Sequence, residues 1–229
     1  IAFYNSAYLE GIVTVFMLLF GINFNLFYFI LIKNVKAIFK SEELKVYLLI
    51  VIGSIVLISL NIVSMYDGAL LDAFRYASFQ IAADFNLWPS FSKMIILLLM
   101  TVGACAGSTA GGLKVSRLLV LLKQIKLDIQ HLLHPQKVDA IIVDGKLVDK
   151  EVVHHICSYF FCFILILSTT LLLVSLDNFD LETTIGACFT CLGNVGPGFG
   201  LAGPAGNFSM FSDLSKIVLS FAMLIGRLE

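Results

Sequence analysis

The sequence predicts an all-α, polytopic membrane protein in which full spans alternate with short re-entrant helices and one inner span is broken by a loop. Three observations carry this. Of 229 residues, 59% are hydrophobic and only 14% are charged, whereas a soluble domain carries about 25% charged residues. The apolar residues cluster in runs at 11–32, 46–65, 94–122, 156–176 and 214–226, most of them near the roughly 20 residues that cross a hydrocarbon core. Eleven of the 15 basic residues fall in two connections, one with Lys33, Lys36, Lys40 and Lys45, the other with Lys114, Arg117, Lys123, Lys126, Lys137, Lys146 and Lys150. The positive-inside rule places both in the cytoplasm. A net charge of −1 leaves no basic field for nucleic acid.

With those connections inside, residues 11–32 run inward, 46–65 outward, 90–124 inward, 153–176 outward and 209–229 inward. The first run follows Glu10 rather than a basic segment, so it is not a signal peptide. The absence of an initiator Met and the stop at Glu229 are expected of a piece of a longer chain. The outer connections, 66–89 and 177–208, are short and apolar. Each holds an amphipathic stretch, 70–80 and 181–192, too short for a span and of re-entrant length. Asp180 is placed to cap the second, with Glu182 in its first turn. The order span, short helix, irregular turn, span thus occurs twice, over 46–124 and 153–229, and membrane proteins of repeated architecture place ion sites where the repeats meet. Between them, residues 125–152 are polar. His134-Pro135 breaks the chain and 140–148 reads as a small hairpin around Asp144-Gly145, a cytoplasmic docking patch rather than a domain.

Two glycine-rich segments carry the chemistry. Gly193-Asn194-Val195-Gly196-Pro197-Gly198-Phe199-Gly200 follows the second short helix and cannot continue it. Irregular backbone at membrane depth is tolerated where it is buried or lines a water-filled cavity, and a row of carbonyls there replaces a cation's hydration shell. An extracellular Gly/Pro turn is the plain alternative. The other segment, Gly103-Ala104-Cys105-Ala106-Gly107-Ser108-Thr109-Ala110-Gly111-Gly112, lies inside a run of about 35 residues, too long for one crossing. A loop there divides the run into two half-helices; close helix packing on small residues is the alternative. Gly107 and Gly112 have the spacing of a phosphate loop, but Leu113 stands where that loop needs Lys, and no strand precedes it. Arg227, in a membrane helix, faces a pore as a positive barrier or marks the membrane boundary. Lys93 and Lys216 read as snorkelling side chains. The outer acids Asp67, Asp72, Asp84, Asp177, Asp180, Glu182 and Asp213 form a cation-concentrating vestibule or ordinary loop charge. Cys105, Cys157, Cys162, Cys188 and Cys191 behave as small apolar residues. His131, His134, His154 and His155 sit in or beside the polar connection, and no nucleophile–base pair points to an enzyme.

These segments resemble the Trk/Ktr/HKT superfamily, specifically its TrkH-type potassium-uptake subunits. The resemblance rests on residues 103–115, on Asn194-Val195-Gly196-Pro197-Gly198, on Gly226-Arg227-Leu228-Glu229, on Gly21-Ile22-Asn23-Phe24-Asn25 and on Asp84-Phe85-Asn86-Leu87-Trp88-Pro89. It implies M1–P–M2 repeats around a pseudo-fourfold pore. Residues 1–40 would be the last helix of a preceding repeat and a linker, 41–130 the third repeat, 131–152 a cytoplasmic loop, and 153–229 a truncated fourth repeat. It further implies a potassium filter at Asn194, Val195, Gly196, Pro197 and Gly198, with K+ (or Na+) at the carbonyls of Val195 and Gly196. Residues 103–112 would be the gate and Arg227 a barrier, with no organic cofactor. A homodimer in the bacterial inner membrane, bound by a cytoplasmic nucleotide-binding regulatory ring, is the assembly so implied. Between Phe79 and Asp84 only Gln80-Ile81-Ala82-Ala83 stands where the family has its third filter loop. Residues omitted from the sequence account for this best; a true deletion would make the chain a non-conducting sensor or docking subunit.

Overall fold

The structure is a computed structural model that describes residues 6–33, 38, 40–66, 69–78, 85–108, 111–134, 140–204 and 206–227. Its helices are α1 (Ala7–Phe20), α2 (Phe24–Leu31), α3 (Glu42–Ile62), α4 (Leu70–Ser78), α5 (Ser90–Val102), α6 (Val115–Leu133), α7 (Lys150–Val174), α8 (Leu181–Gly193) and α9 (Asp213–Arg227), with a two-stranded hairpin, β1 (Ile142–Val143) and β2 (Lys146–Leu147), between α6 and α7. The fold is all-α apart from that hairpin.

α3 starts where the Ser41 hydroxyl accepts the Leu44 N–H, with Glu42 and Glu43 in its first turn, and meets no proline before Ile62. Its 21 residues extend about 32 Å. Together with short 3₁₀ continuations, Glu42–Tyr66 and Lys150–Asp177 are long and apolar enough to cross a membrane. α3 buries Ile58 and Ile62 completely yet leaves Leu49 73% exposed. An apolar side chain turned outward this far suits hydrocarbon rather than water.

The first apolar run departs from expectation. Residues 11–32 are not one straight helix: α1 and α2 meet at an angle of 92°, a broken span or a re-entrant loop. Three contacts fix the break. The Asn23 side chain accepts the Asn25 N–H and starts a new helix, and Gly21 O accepts the Cys105 N–H. A Cβ at Gly21 would lie 2.2 Å from Tyr47 Oη, so the chain approaches α3 closely there. The run from 90 to 124 is interrupted as expected, between Val102 and Val115. The short helices form at 70–78 and 181–193, and Asp180 caps the latter through the Thr183 N–H at 3.0 Å. The hairpin pairs Ile142 with Leu147 and turns on Asp144 and Gly145, both at positive φ, as a tight two-residue turn requires. It is tied to the helices by Glu42 N–H donating to Asp144 at 2.6 Å and by Lys123, which pairs with Glu42 and bonds Ile142 O.

One core cluster joins α3, α4 and α5 through Ile58, Ile62, Ala73, Ala77, Ile96 and Met100, with Trp88 and Phe199. A second joins α7, α8 and α9 through Val174, Ala187, Cys188, Cys191 and Leu219. Cys188 and Cys191 are free thiols used as packing. Lys93, expected to snorkel, instead pairs with Glu182 at 2.6 Å and so links α5 to α8. Phe79 to Asp84, where the third filter loop was expected, lie outside the described residues.

Candidate functional site

The site is assembled where α8 ends. Its last residue is Gly193, and Asn194 turns the chain at φ 53°, ψ 42°. Val195 N–H then donates to Thr190 O and Gly196 N–H to Thr190 Oγ1, each at 3.0 Å. Gly196 has φ +117°, closed to side-chain-bearing residues, although nothing stands within 4 Å of a Cβ built there. Its glycine therefore serves backbone geometry, not close packing. Beyond Pro197 the chain folds back along α8, so tightly that a Cβ at Gly186 would lie 2.3 Å from Phe199 N. The return is pinned from two sides. Asn86 Nδ2 donates to Gly200 O at 3.1 Å and Oδ1 accepts Gly200 N–H at 2.9 Å. Thr183 Oγ1 accepts the Leu201 N–H while donating to Asp180 at 2.6 Å. The Thr183 hydroxyl holds the Asp180 carboxyl below the usual carboxylate range, and the Ser212 N–H donates to Asp177 at 2.9 Å.

Two cavities flank this segment. One, of about 370 Å³, is lined by Thr190, Asn194, Val195, Gly196, Lys216 and Met223 among others; the second, of about 270 Å³, by Thr14, Tyr47, Met100, Val195 and Pro197 among others. Val195 borders both and Gly198 is buried away from them.

The second glycine-rich segment lies directly beneath. Gly103, Gly107, Gly112 and also Lys114 have positive φ, which breaks the helix at several places. Thr109 and Ala110 are outside the described residues. Leu113 N–H bonds Thr101 O and Val115 N–H bonds Ala104 O, closing the loop on itself. Its tip is held by Cys105 N–H to Gly21 O at 3.1 Å and by Ala106 N–H to Glu43 Oε1 at 2.6 Å, while Ser108 N–H returns to Cys105 O. Its far side abuts the end of α8: a Cβ at Gly111 would meet Asn194 and Gly193 O at 3.1 Å. Gly112 N–H reaches Gly226 O, Asn194 Nδ2 donates to Met223 O, and Gly226 sits where a Cβ would lie 1.9 Å from Leu192 O. Arg227, exposed, follows at once and acts electrostatically on Lys114, which is buried at the loop's end and also feels Arg117 and Glu43. Asn194, the 103–112 loop and the end of α9 are thus brought together, while Pro197 and Gly198 lead away along α8.

Sequence reasoning missed Glu43 and Asn86 as parts of this site. Glu43 carries no local sign of a distant partner: it stands beside Glu42 in the first turn of α3. Asn86 entered only as part of a matching segment, and its partner stands 114 residues away.

Residues 1–229 match the family described as TrkH, cation transport protein. The chain belongs to the TrkH family. It is 32% identical over 240 residues to the Trk system potassium uptake protein TrkG of Escherichia coli K12, covering 100% of this chain and 49% of that protein. With the Trk system potassium uptake protein TrkH of Salmonella typhimurium it shares 29% over 244 residues, 100% of this chain and 50% of that one. Its fold matches the crystal structure of the potassium transporter TrkH from Vibrio parahaemolyticus with a TM-score of 0.89 at 28% identity, over 99% of this chain and 51% of that one. The family is one of transporters, not enzymes. The chain spans about half the length of the curated relatives it matches.

Proposed function

We propose that the chain forms part of a pore conducting K+ across the bacterial inner membrane, with Na+ as the ion to be rejected. On this reading Asn194, Val195, Gly196, Pro197 and Gly198 are one filter segment, and K+ is coordinated by the carbonyls of Val195 and Gly196. The observation that carries it is the Val195–Gly196 backbone itself. Both N–H groups are turned to Thr190. Because the C=O of a trans peptide points opposite the next N–H, the Asn194 and Val195 carbonyls are directed away from their Thr190 partners, while the Gly196 carbonyl precedes Pro197, which has no N–H. Val195 and Gly196 both line the cavity of about 370 Å³. The negative end of the α8 dipole adds to cation attraction at the same point. Carbonyls so arranged substitute for hydration water.

The loop made of Gly103, Ala104, Cys105, Ala106, Gly107, Ser108, Thr109, Ala110, Gly111 and Gly112 is the gate, since it is packed against the end of the filter helix, and Arg227 is the barrier beside it. Residues 1–40, 41–130, 131–152 and 153–229 divide as the end of one M1–P–M2 repeat with its linker, a third repeat, a cytoplasmic loop and a fourth repeat. The order long helix, 3₁₀ turn, short helix and further helix, seen among the described residues from α3 to α5 and again from α7 to α9, supports that division. The assembly in the bilayer is a homodimer, with a cytoplasmic nucleotide-binding ring reaching the hairpin side.

Rubidium-86 uptake into liposomes holding the full-length protein tests this. Gly196→Ser forces a side chain onto φ +117°, so the expected result is loss of discrimination against Na+ competition. Parent-like selectivity in the folded variant overturns the filter assignment.

A further inference from the structure

Two carboxylates open α3, and they behave differently. Glu42 is partly exposed and pairs with Lys123. Glu43 is 8% exposed and turned inward. Its Oε1 accepts the Ala106 N–H at 2.6 Å, and its Oε2 accepts from Asn23 Nδ2 at 3.5 Å. Asn23 in turn caps α2 by accepting the Asn25 N–H. One turn further along α3, Tyr47 lies against Gly21 and donates to Leu18 O at 3.2 Å. The same face of α3 therefore grips both the 92° break between α1 and α2 and the tip of the 103–112 loop. Cys105 N–H to Gly21 O closes the triangle.

A buried carboxylate is costly unless its lone pairs are used, and an ionised acceptor makes roughly twice as strong a bond to an N–H as a neutral one. Glu43 is thus a strong fastening at a segment whose own glycines make it deformable. Its charge is also felt by Lys114 at the loop's other end.

We propose that Glu43 is a positioning residue that holds the 103–112 loop in its obstructing place by fastening it to the α1–α2 break, so that opening requires the Glu43–Ala106 bond to part. The consequence for flux rests on the gate reading above; the fastening itself does not.

The test uses the full-length protein in lipid nanodiscs, with amide hydrogen exchange of the peptide covering 103–108 and rubidium-86 flux in liposomes. Glu43→Ala is expected to speed exchange there by about tenfold, the loss of one charge-assisted bond, and to raise flux several-fold. Glu43→Gln keeps an oxygen for the Ala106 N–H but not the charge, and is expected to fall between the parent and Glu43→Ala in exchange. Parent-like exchange in Glu43→Ala overturns the fastening. Faster exchange with unchanged flux upholds the fastening and overturns the gate reading. If Glu43→Ala does not fold, Glu43→Asp serves: it keeps the charge but withdraws it by one methylene. It must loosen 103–108 without loosening α7, and exchange equal to the parent's overturns the proposal.

Discussion

Asn86 applies both ends of its amide to a single residue, donating to the Gly200 carbonyl and accepting from the Gly200 N–H. Gly200 itself has φ +58°, and a Cβ there would lie 2.1 Å from Thr183 Oγ1, so only glycine fits between Asn86 and Thr183. Asn86→Leu keeps the volume and removes both bonds, leaving the Gly200 N–H without its acceptor, while Gly200 O keeps the Gly203 N–H, at a cost of about 1–3 kcal/mol. A lowered thermal-unfolding midpoint of the detergent-solubilised full-length protein is expected, with Asn86→Asp intermediate because it keeps the acceptor. A midpoint equal to the parent's would show that the return segment is held by Thr183 alone. No local pattern around Asn86 announces this role. A bond across 114 residues depends on which helices pack together, and that is decided by the whole core rather than by neighbouring letters. Gly196 is the opposite case: a glycine directly after a capped short helix and before Pro197 declares an unusual backbone in the sequence itself.

At the scale of elements, α8 shows what the sequence makes legible and what it hides. Its start was readable, because Asp180 precedes an apolar stretch with Glu182 in the first turn and the cap forms as that pattern requires. The bond from the Thr183 hydroxyl holds the folded Asp180 carboxyl below its usual value, which is about 3.9 in an unfolded chain. A depressed folded value means the stabilisation is complete above the unfolded value and disappears as pH falls through the folded one. Asp180→Asn keeps a capping oxygen but cannot ionise. The parent is therefore expected to exceed it in stability at neutral pH by under about 1 kcal/mol, a small figure because solvent screens an exposed carboxylate. That gap should close below about pH 4, read from thermal midpoints of both proteins between pH 7 and pH 3. A gap constant over that range would assign the difference to shape, not charge. The break in the 90–124 run was legible too, since its length exceeded one crossing and its glycines marked the place. The break at Gly21 was not. Residues 11–32 fit one crossing, and their hydropathy does not reveal that the Gly21 carbonyl is needed by Cys105 or that Tyr47 occupies the space of a side chain there.

For the whole molecule, charge placement decides how the proposed pathway behaves. The two basic connections set the orientation from sequence alone, but their meeting with the gate depends on the fold. Lys114 is buried at the end of the 103–112 loop and feels Arg117 and Arg227 as like charges, with Glu43 opposing them. Gly226 O, one residue before Arg227, receives the Gly112 N–H, so the guanidinium is carried on the same joint as the loop. A cation passing within about 8 Å of one fixed positive charge, at an effective dielectric near 20, is raised by about 2 kcal/mol. On the proposed reading that amounts to roughly a thirtyfold reduction in passage. Arg227→Gln in the full-length protein is therefore expected to raise rubidium-86 flux, by up to about thirtyfold, while discrimination against Na+ stays with the parent. Arg227→Lys should leave flux near the parent's, since it keeps the charge. This separates barrier from filter, because Gly196→Ser alters selectivity. Flux unchanged in Arg227→Gln would place the guanidinium off the ion's route, and the positive charge at the gate would then have to be supplied by Lys114.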